Sequence, residues 1–130
     1  MSDISKLYIF DGFSDTEVSF FLLMSQTQFR KKDERIITIG DTSNGCAYYV
    51  SRGAVRVTQW GQELAILGPG SFFGEIALIT DEPRTATVDA IDDTELQVFL
   101  KDDFMTLLKR WAHSEEMRAE MLRRIKERVR

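Results

Sequence analysis

The chain has one cysteine, Cys46, and one histidine, His113. A single cysteine excludes an intrachain disulfide, and a single histidine leaves no ligand set for a zinc or iron site. No apolar run approaches the roughly 20 residues that span a bilayer as a helix. The start MSDISKLYIF lacks a basic region followed by an apolar core and a small-residue cleavage site. Together these absences predict a cytoplasmic protein without a transmembrane segment. The glycine-rich loop that grips triphosphates, with its adjoining lysine and hydroxyl, is also missing.

What is present fits one globular unit. A length of 130 residues, 43% hydrophobic and 11% aromatic, allows a single core and excludes a disordered chain. The expected organisation is one domain over 1–130. It begins with a helical segment to residue 26, continues with a β region over 27–101, and ends in helices over 102–130. Ser14 and Glu17 form a capping box ahead of Val18, Phe20, Phe21, Leu22 and Met24, which predicts a helix from Ser14 to Met24. From Thr27 the segments TQFRK, RIITIG, AYYVSRG, AVRVTQW and ELAILG read as short strands between charged or glycine-containing turns. TATVDAI and ELQVFLK add two more across Asp92-Asp93, so the pattern predicts an antiparallel sheet or barrel.

The run FFGEIALITDEPRTATV, from Phe72 to Val88, concentrates the chemistry. Gly74 removes side-chain bulk where Glu75 to Thr80 can form a short helix before Asp81 and Pro83 interrupt it. The first amides of such a helix lack internal partners and favour an anion. Arg84 adds a permanent charge whose planar fork matches two oxygens of one phosphate. A carboxylate at Glu75 would repel that anion unless a ligand hydroxyl stands between them. With one arginine and no lysine in the loop, a singly charged anion carrying a hydroxyl suits the site.

The contiguous motifs Phe73-Gly74-Glu75-Ile76-Ala77-Leu78 and Pro83-Arg84-Thr85-Ala86-Thr87-Val88 resemble the phosphate-binding cassette of the cyclic nucleotide-binding domain family. The spacing of nine positions between Glu75 and Arg84 is similar too. The resemblance covers about Thr27 to Lys109, with Gly40-Asp41 and Arg52-Gly53 at turn positions. It implies a mainly β fold: an antiparallel β-sandwich or jelly roll with an N-terminal helix, a short cassette helix and a C-terminal lid helix. It also implies that cAMP or cGMP is the ligand and that no other cofactor is required. Glu75 would then accept from the ribose 2′-hydroxyl and Arg84 would hold the exocyclic phosphate oxygens. The amides of Ala77 and Thr85 would complete the cradle beside Ile76, and Gly74 would let the sugar approach. Thr85 permits cGMP without requiring it, since its hydroxyl can contact the guanine amino group and cAMP-preferring members can also carry it. Val57, Ala65 and Leu67 fall where related domains line the base pocket.

At the C-terminus, Met117, Met121, Leu122, Ile125 and Val129 make one apolar stripe at helical spacing, with charge on the opposite face. The resemblance makes Trp111, Met117 and Met121 candidates for a lid over the base; packing on the core or dimerisation would use the same stripe. The first hundred residues are net acidic and the remainder net basic. Arg123, Arg124, Lys126, Arg128 and Arg130 fit a solvated helix face, so direct nucleic-acid binding is not expected. Phosphodiester hydrolysis needs a metal pair or a positioned histidine with other acid groups, and the sequence offers neither, so the expectation is a non-enzymatic sensor. Its output would pass to a second protomer or a separate effector protein. The competing expectation is a domain that keeps the fold as a ligand-independent interaction module.

Overall fold

A computed structural model of the chain describes residues 14–111, together with 119, 120 and 123. Helix α1 (Asp15–Leu23) starts at the expected cap: Ser14 Oγ accepts from the Glu17 amide at 3.2 Å, and the Glu17 carboxylate turns back to accept from the Ser14 hydroxyl at 3.1 Å. Eight strands follow: β1 (Gln26–Arg30), β2 (Arg35–Ile37), β3 (Cys46–Arg52), β4 (Val55–Gln59), β5 (Gln62–Leu67), β6 (Phe72–Phe73), β7 (Thr87–Ala90) and β8 (Thr94–Leu100). A 3-10 turn at Glu75–Leu78 interrupts them, and helix α2 (Lys101–Trp111) continues directly from β8.

The strands form two four-stranded sheets, ordered β1-β8-β3-β6 and β2-β7-β4-β5, with every pair antiparallel. Except for the β4–β5 hairpin, which stays within one sheet, successive strands alternate between the sheets, as in a jelly roll. The two faces of β3 explain how the layers stack, because neighbouring side chains on a strand point to opposite sides. Tyr48 and Val50 point into the sandwich with Ile37, Val55, Phe73, Val88, Leu96 and Val98. Ala47 and Tyr49 point the other way and pack with Val18, Phe21, Leu78, Phe99, Phe104 and Leu107 beneath the helices. Aromatic pairs fill both layers. Tyr48 stacks on Phe73 at 5.1 Å between centroids, and Phe21 meets Phe99 at 5.2 Å and Phe104 at 5.7 Å.

Strand β2 is shorter than the segment RIITIG suggests, because the chain turns through Gly40 at φ 85° and leaves the ladder. The β4–β5 hairpin closes on Trp60 and Gly61, both at positive φ, the geometry of a type I′ turn. Leu64 is bulged out of that hairpin between the pairs Val57↔Ala65 and Thr58↔Glu63. No described helix is long and apolar enough to cross a membrane.

Candidate functional site

Phe73 of β6 is pinned in the core against Tyr48, so the residue after it must turn sharply out of the sheet. Gly74 does so at φ 73°, ψ 18°, in the left-handed region that glycine tolerates. A Cβ there would lie 3.1 Å from Arg84 Nη1 and 3.4 Å from Ile37 Cδ1, so bulk is excluded as well as a normal φ. The chain then winds through Glu75–Leu78, with Ala77 N donating to Gly74 O at 3.2 Å and Thr80 N to Ile76 O at 3.0 Å. The short helix expected from Glu75 to Thr80 is thus a 3-10 turn that relaxes toward α spacing at its end.

Arg84 returns to the same place from the other side. Its backbone is clipped to the Gly40-Asp41 turn, donating to Asp41 O at 2.9 Å and accepting from Gly40 N at 2.8 Å. Its side chain is buried, with 6% relative exposure. Nη2 donates to Asn44 Oδ1 at 2.6 Å and to Cys46 O at 2.8 Å, and Nη1 to Gly74 O at 3.4 Å. All three acceptors are neutral. Among the described residues no carboxylate lies within ion-pair distance of it. Burial pushes its pKa below the ordinary arginine value, opposed by Tyr48 and Cys46. A desolvated cation without a counter-charge is electrostatically costly, and an anion at its free edge would offset that cost.

Beside it lies a cavity of about 300 Å³, at the lower end of the range for small-molecule sites. It is lined on one side by Gly74, Glu75, Ile76, Arg84 and Thr85, and on the other by Val57, Ala65 and Leu67. The structure therefore brings the cassette residues and the three base-pocket candidates into one space. Val57 and Ala65 are register partners on β4 and β5, and Leu67 pairs with Val55, so a single hairpin supplies the apolar wall. Ala77 stands apart: its methyl is buried, and its amide already closes the turn on Gly74. Trp111 is the last residue of α2, and Met117 and Met121 lie outside the described residues.

Asn44 also holds Arg84 in place, and the sequence alone did not single it out. Its Oδ1 accepts both the Arg84 guanidinium and the Cys46 amide, at 3.1 Å, and so joins the β3 entry to the cassette. The dipeptide Asn44-Gly45 signals a turn, but nothing local announces a partner forty positions away. Phe72, Phe73, Ile37 and Val88 also line the cavity, although their apolar character marks them only as core.

Comparison with known proteins agrees with this geometry. A sequence model described as "Cyclic nucleotide-binding domain" matches residues 27–110. The cyclic AMP receptor protein of Thermus thermophilus is 35% identical over 107 residues, covering 78% of this chain and 49% of the relative. A cGMP-dependent protein kinase of Plasmodium berghei is 31% identical over 118 residues, covering 88% of this chain and 14% of the kinase. The chain thus spans about half the length of the first relative and far less of the second. Among solved structures, the catabolite activator protein of Thermus thermophilus superposes with a TM-score of 0.74 at 31% identity, covering 94% of this chain and 57% of that one. With the jelly roll, the cassette geometry and a family match over most of its length, the chain belongs to the cyclic nucleotide-binding domain family.

Proposed function

We propose that this domain is a sensor that binds cAMP or cGMP in the cavity between the cassette and the β4–β5 wall. It would carry out no chemistry on the ligand. The observation that carries the reading is Arg84: a buried guanidinium held by three neutral oxygens, with no carboxylate partner among the described residues, at the edge of an apolar cavity. A cyclic phosphate supplies one negative charge and two exocyclic oxygens for its fork. Glu75, at the start of the 3-10 turn and on the same wall, accepts from the ribose 2′-hydroxyl. Gly74 leaves room for the sugar, Ile76 borders it, and the Thr85 amide adds a donor to the phosphate. The Ala77 amide reaches the ligand only by sharing its bond to Gly74. Val57, Ala65 and Leu67 cover the purine, whose flat face gains from burial.

Relatives whose names carry cAMP and cGMP support the ligand class without choosing between the two. Residues 1–130 act as one binding unit in this proposal. The segment containing Trp111, Met117 and Met121 closes on the base and passes the signal to a second copy or a separate effector. Titration calorimetry of the purified protein with cAMP and with cGMP is the test. Saturable heat with at least one is expected; no heat with either would sink the sensor reading and leave a ligand-independent interaction module.

A further inference from the structure

Three polar side chains line the cavity among the described residues: Glu75, Arg84 and Thr85. If the first two hold sugar and phosphate, Thr85 is the only described side chain left to distinguish purines by hydrogen bonding. Guanine carries an amino group at C2, which donates, and adenine has none there. The orientation of Thr85 therefore bears directly on selectivity.

Thr85 lies in a gap between two anchored stretches. Before it, Arg84 is clipped to the Gly40-Asp41 turn. After it, β7 joins β4 from the pair Thr58↔Thr87 onward. Across the gap, Gln59 Nε2 donates to Thr85 O at 3.0 Å. Gln59 is the last residue of β4, fixed opposite Gln62 by the two-residue Trp60-Gly61 turn. Its side chain continues the β4–β7 contact beyond the last ladder pair and holds the peptide between Thr85 and Ala86. Loss of that bond would leave the Thr85 backbone, and with it the exposed Thr85 side chain, with one anchor fewer between Arg84 and Thr87.

We propose that Gln59 is a positioning residue that sets the base selectivity of this domain by fixing the backbone at Thr85. The proposal rests on the cavity being a cyclic nucleotide site. It also ties selectivity to the hairpin that forms the base wall, so both surfaces facing the purine are set by β4 and β5.

The test is the ratio of cAMP to cGMP affinity, measured by calorimetry on the whole chain. Gln59→Leu removes the donor at similar size and Gln59→Glu places an acceptor against the carbonyl. Both should shift the ratio against cGMP by about three- to tenfold, the scale of one hydrogen bond. Gln59→Lys, which can still donate, should restore it. In a Thr85→Ala background, Gln59→Leu should leave the ratio unmoved, because the hydroxyl it orients is gone. Equal losses for both nucleotides, or no change for either, would overturn the proposal and assign Gln59 to hairpin stability alone. Absence of binding by the unmodified protein would overturn this inference together with the sensor reading; binding with an unmoved ratio would overturn this inference only.

Discussion

Arg35 and Arg84 are both held by side-chain hydrogen bonds within the sandwich, yet the fold treats them in opposite ways. Arg35, on β2, is exposed and faces Asp89 across the ladder, with Nε at 2.9 Å from Oδ1 and Nη2 at 3.5 Å from Oδ2. Hydrogen bonding to Asp89, reinforced by its charge, raises the Arg35 pKa. Arg84 is buried among carbonyl oxygens, and burial lowers its pKa. One guanidinium has its anion within the chain and stays in water, where such pairs contribute little. The other has been taken out of water with neutral partners that orient it but, among the described residues, leave its charge uncompensated. The two guanidiniums differ by the presence or lack of a counter-ion among the described residues, a difference that their side-chain chemistry in the sequence does not show.

The comparison is sharpened most by Arg84→Ala, which should weaken cyclic nucleotide binding by roughly 2 to 5 kcal/mol, about 30-fold or more. Calorimetry reads it, and unchanged affinity would break the contrast. Arg84→Lys should recover part of the loss, because charge returns without the fork. Gly74→Ala comes next. It places a Cβ at 3.1 Å from Arg84 Nη1 on a backbone at φ 73°. Left-handed backbone of this kind should lower stability by about 1–2 kcal/mol in denaturant unfolding, with a parallel loss of affinity. Asn44→Ala removes one orienting acceptor from Arg84 and should weaken binding by about 1 kcal/mol, near fivefold, on the scale of a single hydrogen bond. Arg35→Ala should do least, leaving both the unfolding midpoint and the affinity nearly unchanged. An effect as large as that of Arg84→Ala would remove the distinction between the two arginines.

The N-terminal helix was readable because its signals are local: Ser14 and Glu17 cap each other within one turn. Seven of the eight strands were readable from alternation and turn residues, with ends displaced by a few residues at most, furthest at β2 where the chain turns toward Gly40; the two-residue β6 was not, because it is too short to show a period. The cassette was legible because its chemistry sits in one contiguous run and its spacing resembles a known family. Asn44 and Gln59 were not. Each meets the cassette through a side chain that crosses between elements, and such contacts depend on strand order rather than on neighbours in the chain. The lid candidates Met117 and Met121 fall outside the described residues.

Sequence alone determined the ingredients: which segments alternate as strands, where glycine is needed, and which carboxylate and arginine stand nine positions apart. These follow from short-range rules of periodicity, sterics and charge. Only the tertiary structure decided that Arg84 is buried without a carboxylate partner among the described residues, that Val57, Ala65 and Leu67 line one cavity with it, and that Gln59 holds Thr85. Those facts come from which strands lie side by side in two sheets, an arrangement fixed by burying both faces of β3 at once.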